Sequence, residues 1–252
     1  MLTVLPIASD QHAGYLSTVD PRARIVAAAA FSVVTVAAGR LSVVGLALAA
    51  AAVGLALSGL PLSVVAKRLA PLNVLMLLLI LLLPLTTPGT AVWQLGPLGF
   101  SREGLRLAVV VALKGNAVVL MLIALLGTMN PIALGHALSH LRVPDKLTHL
   151  LLLTVRYLDV LHREYLRLRA AMKVRGFRPR MDRHTYRAFG YLVGMLLVRS
   201  FDRAERIVAA MKCRGFQGRF FLLDHFAFTR RDVAFCTASG VLLLLLLWMQ
   251  WT

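Results

Sequence analysis

Arg175 and Arg214 each stand directly before a glycine, Gly176 and Gly215, at the end of a stretch that the chain uses twice. Residues 164–177 read EYLRLRAAMKVRGF and residues 203–216 read RAERIVAAMKCRGF, so an offset of 39 matches eight of fourteen positions. Arg167, Ala170, Ala171, Met172, Lys173, Arg175, Gly176 and Phe177 fall on Arg206, Ala209, Ala210, Met211, Lys212, Arg214, Gly215 and Phe216. A guanidinium gives planar, multi-donor pairing that an ammonium cannot. The chemistry open to such a pair is recognition, not bond making. Two helices that merely end alike need only an Arg-Gly stop, whereas this repeat also specifies small residues and an aromatic. Two equal tips fit two equal pockets on a partner, as a symmetric homodimer or a pseudo-symmetric heterodimer presents.

Three other groups of residues could carry chemistry. Lys114 and Asn116 fall near the middle of an apolar run, and an ionisable residue at membrane depth is a functional candidate by default. The alternative is that Lys114 snorkels, or pairs with a carbonyl or with Glu103. His136 and His140 have the i, i+4 spacing that can chelate a metal, with His149 not far on, yet no carboxylate or cysteine completes a set. Histidines so placed are usually surface or packing residues. Cys213 and Cys236 lack CxxC spacing and form no recognisable redox or metal site. Paired carboxylates, a HExxH and a nucleophile with its base are missing from the expected spacings, so the sequence offers no catalytic residues. It holds no GxxxxGK[ST] loop either.

The elements that must position the tips are helical. Leu147, Leu150, Leu151, Thr154, Val155, Leu158, Leu161, Tyr165, Leu168 and Met172 follow a 3–4 spacing, as do Phe189, Val193, Leu196, Leu197, Ala204, Ile207, Val208 and Met211. The pattern predicts one helix from near Pro144 to Arg175 and a second from about Thr185 to Arg214. Gly176 and Gly215 stand where a helix takes a left-handed residue beyond its C-terminus. Gly190 and Gly194 have the spacing that allows tight crossing. Both helices are too charged to span a bilayer and read as amphipathic helices at its surface.

The rest of the chain is apolar. Of 252 residues, 59% are hydrophobic and only 15% charged, against about 25% in a soluble domain. The apolar residues come in blocks, predicting an all-α polytopic membrane protein. Asp20-Pro21 signals a helix start before Ile25–Gly39, a short first span that must borrow flanking residues or sit in a thin region. Leu41–Leu60, Pro71–Leu85 and Leu105–Thr128 follow, with Lys67 and Arg68 marking a return to the cytoplasm between the second and third. Thr86–Arg102 reads as an outer loop, broken at Pro88-Gly89 and carrying Trp93 at an interface position. Asn130-Pro131 opens a short helix to Leu141. Val233–Trp251 is the final span. This gives about five spans: four in residues 1–128, a coupling region over 129–232, and the last in 233–252.

Of 28 Lys and Arg, 20 fall between Arg142 and Arg231 against seven acids. Basic segments attached to membrane helices are cytoplasmic by the positive-inside rule, which places the coupling region and the N-terminus, with Arg22 and Arg24, inside the cell membrane. The net charge of +17 suits anionic lipid headgroups. Without an aromatic-interleaved basic motif it does not point to nucleic acid. The first residues lack a basic segment followed by an apolar run, so no cleaved signal peptide is expected.

Asp20-Pro21-Arg22, Leu141-Arg142-Val143-Pro144, and Arg156-Tyr157…Glu164 leading to Ala170-Ala171-Met172-Lys173-Val174-Arg175-Gly176 resemble a T component of energy-coupling-factor transporters. The second tip, Arg203-Ala204-Glu205-Arg206…Ala210-Met211-Lys212-Cys213-Arg214-Gly215-Phe216, resembles the cobalt-transport branch called CbiQ. That family usually has Ala-Arg-Gly at each tip, where Val174 and Cys213 stand here. The resemblance implies a scaffold in the bilayer, joining a cytoplasmic ATP-binding-cassette ATPase dimer to a substrate-binding membrane subunit. Ala171, Met172, Arg175 and Gly176, with Ala210, Met211, Arg214 and Gly215, would contact the ATPases. Such a chain is not an enzyme and binds no cofactor or metal of its own, since ATP and magnesium belong to the partner. Cobalt is favoured over nickel or a vitamin as cargo. The competing reading is a stand-alone carrier using Lys114 and Asn116, which needs midplane polar groups on several spans. Beyond these two only Asn73 offers itself.

Overall fold

The computed structural model describes residues 14–87, 91–95, 98–141, 143–216 and 229–251. The first thirteen residues, Pro88-Gly89 and Arg142 lie outside them, as does the side chain of Trp93.

Asp20 begins the fold as the sequence predicts. Its carboxylate accepts from the Arg22 amide at 2.9 Å, and Pro21 occupies the first turn of α1, Pro21–Ala37. This cap satisfies an amide that has no partner within the helix. Helix α2, Leu41–Ser58, ends at Gly59, whose φ of 68° only glycine adopts without strain. Its small residues are the ones that meet neighbours: Val43, Val44, Ala47 and Ala51 are buried, in one cluster with Phe31 of α1 and Met121 of α4. Where water supplies no hydrophobic drive between helices, small residues that let backbones approach are what hold a bundle together.

Helix α3 runs over Leu62–Thr86 and differs from the expected Pro71–Leu85. Lys67 and Arg68 lie within its first two turns, and Pro71 lies inside the helix. The Pro61 carbonyl accepts from the amides of Val64 and Val65, closing the first turn nine residues earlier than expected. An interior proline forfeits a single backbone bond in a helix already propagating. Half of α3's apolar side chains, including Leu77 and Val74, are exposed, as lipid-facing residues are, and few are buried.

Where a plain loop was expected, β1, Ala91–Leu95, pairs antiparallel with β2, Leu98–Ser101. Ser101 then caps α4, Arg102–Leu126, by accepting from the Gly104 amide. Helix α4 packs on α1, α2 and α3 and is the centre of this unit. Helix α8, Arg230–Trp251, joins it against α1 and α2.

Among the described residues, α2, α3, α4 and α8 are long and apolar enough to cross a membrane. The expected first span, α1, has 17 residues, about 25 Å at 1.5 Å per residue, against a hydrocarbon core of about 30 Å. Its carbonyl end is finished by its neighbours: Lys114 Nζ donates to Val36 O at 2.9 Å, and Gln250 Nε2 to Ala37 O at 2.8 Å. At the other end, Asp232 is 1% exposed and accepts from the Asp20 amide at 2.7 Å and from the amide and hydroxyl of Thr229. Arg24, 2% exposed, donates to Leu125 O and Thr128 Oγ1 at the end of α4. It is a buried tie between helices, not a freely solvated charge.

The second unit contains α5, Pro131–His140, α6, Asp145–Val174, and α7, Arg183–Cys213. Gly135 lets α5 lie against α6, since a Cβ there would sit 2.5 Å from Leu152 Cδ2.

Candidate functional site

Both repeated stretches end in the same backbone motif. The Phe177 amide donates to Met172 O at 3.1 Å and the Gly176 amide to Lys173 O at 3.1 Å. In the second copy the Phe216 amide donates to Met211 O and the Gly215 amide to Lys212 O, both at 3.0 Å. These are the two bonds of a Schellman cap, which needs a left-handed residue just past the helix. Gly176 and Gly215 supply it with φ of 78° and 81°. A Cβ at either would meet open space, so it is the backbone conformation that demands glycine.

That geometry places the arginines. Arg175 and Arg214 are the C-cap residues, with φ and ψ of −76° and 12° in one and −91° and 11° in the other. Each sits at the carbonyl end of a helix of about 30 residues, where the partial negative charge of the peptide dipoles favours a cation. Exposure repeats as well. Lys173, Val174, Arg175 and Gly176 are exposed between half-buried Met172 and Phe177, and residues 211–216 show the same order. Ala171 and Ala210 are exposed, leaving each tip's flank slim. At Val174, 88% exposed, and at Cys213, free and exposed, nothing inside the chain constrains the side chain.

Helices α6 and α7 run antiparallel and cross. Phe177 meets Phe189 edge-on with centroids 5.8 Å apart, and Tyr165, Arg169 and Met172 complete a groove of about 610 Å³ there. Past the crossing, Leu153, Tyr157 and Leu161 of α6 face Ala204, Ile207 and Met211 of α7 across an apolar groove of about 330 Å³. Between the two grooves Glu164, buried at 6% exposure, pairs with Arg199 and, at 3.5 Å, with Arg167. The tips therefore lie at opposite ends of the crossed pair. Sequence reasoning counted Glu164 only as a family marker. The signal that could have found its role is its place as the single acid among Arg163, Arg167 and Arg169.

The remaining candidates are placed elsewhere. Lys114 is spent on the Val36 carbonyl, and Asn116 Nδ2 donates to Ala112 O of its own helix at 2.9 Å. Both side chains are thus bonded to helix backbone. His136 and His140 lie on α5, and among the described residues no three metal-ligating side chains come together. Gly190 and Gly194 face open space, so the α6–α7 crossing does not use them.

Known proteins resemble this chain in sequence over most of its length. The transmembrane protein EcfT of an energy-coupling factor transporter from Listeria innocua is 29% identical over 245 residues, 90% of this chain and 92% of its own. Its counterpart from Exiguobacterium sibiricum is 32% identical over 177 residues, 65% of this chain and 66% of its own. The nickel permease LarQ of Lactiplantibacillus plantarum is 35% identical over 83 residues, 33% of this chain and 30% of its own. Residues 12–222, which include both tips and the crossing between them, match the family model described as CbiQ, cobalt transport protein, and the chain belongs to that family.

Proposed function

We propose that this chain is the membrane scaffold of an energy-coupling-factor importer, in which the two tips seat in matching grooves of a cytoplasmic ATPase dimer. The observation that carries this reading is the repetition of backbone, exposure and charge at Arg175 and Arg214. Ala171, Met172 and Gly176, with Ala210, Met211 and Gly215, form the flanks of the two plugs. ATP and magnesium belong to the ATPases, and this chain, without a phosphate-binding loop, turns their closure into movement of a substrate-binding membrane subunit. The basic coupling region, residues 129–232, and the N-terminus face the cytoplasm, and the scaffold sits in the cell's inner membrane.

The cargo is a transition-metal cation, and cobalt is the first choice. The family's description names cobalt and one relative's name is a nickel permease, so nickel is the competitor. The test of the scaffold reading is co-purification. Arg175→Glu with Arg214→Glu is expected to abolish recovery of the ATPase while the chain still inserts into the membrane. Undiminished recovery would overturn it.

A further inference from the structure

Glu164 belongs to neither tip, yet it is the buried carboxylate at the crossing of the two helices that carry them. Its surroundings are cationic. Arg199 reaches it from α7, Arg167 from one turn along α6, and Arg163 and Arg203 line the same small cavity of about 200 Å³. The position is also central. Glu164 stands twelve residues before Gly176, and Arg203, its counterpart in the repeat, stands twelve residues before Gly215. At 1.5 Å per residue Gly176 is about 18 Å from Glu164 along α6, and Gly215, sixteen residues past Arg199, is about 24 Å from it along α7. Small changes in crossing angle are therefore read out at the tips with a long lever.

We propose that Glu164 is a positioning residue that sets the separation of the two tips by pinning α6 to α7 through Arg199. The inference rests on the scaffold reading for its consequence, but its geometry belongs to the chain alone. Without the carboxylate, Arg199 and Arg167 lose their ion-pair partner, and among the described residues no other salt bridge links α6 to α7. The tips then still cap their helices and still carry their arginines. What is lost is the fixed spacing that lets both be driven by one motor.

The distance between spin labels on Cys213 and on a Val174→Cys variant, with Cys236→Ser removing the other thiol, reads this spacing in the isolated full-length chain. A narrow distribution is expected for the parent. Glu164→Gln broadens it and moves it to longer distances, and Arg199→Gln does the same. Exchanging the charges, Glu164→Arg with Arg199→Glu, restores the narrow distribution. In the reconstituted transporter Glu164→Gln retains the ATPase but moves several-fold less cargo per ATP hydrolysed. A distribution unchanged by both single variants overturns the proposal, and so does a broadened one with full coupling. Failure of the ATPase to depend on Arg175 and Arg214 is a separate result, which removes the scaffold reading and leaves the distance measurement intact.

Discussion

Lys114 donates from α4 to the carbonyl of Val36, one residue from the end of the short helix α1. A cation deep in an apolar helix is thereby explained by a helix too short to bring its own last carbonyls to water. Lys114→Met is expected to lower stability by about 1 kcal/mol, the net worth of one such bond, read as a shift in thermal unfolding in detergent. On the scaffold reading proposed above, uptake by the assembled transporter stays near the parent level. A loss of uptake at unchanged stability would revive the carrier reading.

Gly176→Ala and Gly215→Ala each force a Cβ into left-handed backbone with no compensating contact, at a cost of roughly 1–2 kcal/mol. The cost falls on the last turn alone. Amide exchange of residues 172–177 or 211–216 should quicken, and ATPase recovery should fall, while the melting of the bundle is unchanged.

Asp232→Ala removes the acceptor of the Asp20 and Thr229 amides, and the buried Asp20 donor costs about 1–3 kcal/mol once unpaired. Thermal unfolding should drop well below that of Asp232→Asn, whose amide oxygen still accepts one of the two. Equal melting of the two variants would mean that the carboxylate is not the tie described here.

Gly104→Ala and Gly115→Ala separate two kinds of close approach on α4. A Cβ at 104 would sit 2.8 Å from Leu83 O and Pro84 Cα, which are backbone, whereas at 115 it meets only Met76 Cε at 2.8 Å. Backbone cannot swing aside and a methionine end can. Gly104→Ala is expected to cost about 1–3 kcal/mol and Gly115→Ala a fraction of that, measured by chemical unfolding side by side.

Much of this architecture was legible from residue type and spacing. Asp20-Pro21 marked the start of α1, Val143-Pro144 preceded α6, and Arg-Gly closed both long helices within a residue of where they end. Those signals are local, set by caps and backbone conformation. The start of α3 was misread because a proline inside the helix, Pro71, carries the same letter as one at its beginning, Pro61, and only the backbone distinguishes them. The strands β1 and β2, at five and four residues, are too short to impose an alternation on the sequence. Arg24 on Leu125 and Glu164 on Arg199 join positions 101 and 35 residues apart. Such pairs depend on how helices stack, which no single helix encodes.

The bond from the Asp20 amide to Asp232 spans 212 positions of the chain. During synthesis the opening helix leaves the ribosome long before its counterpart exists. The packing of α4 on α1, α2 and α3 needs only earlier residues, so the seat of α8 against α1 and α2 is the last part of the bundle that can form. A chain arrested before residue 229 would carry both tips and lack that seat.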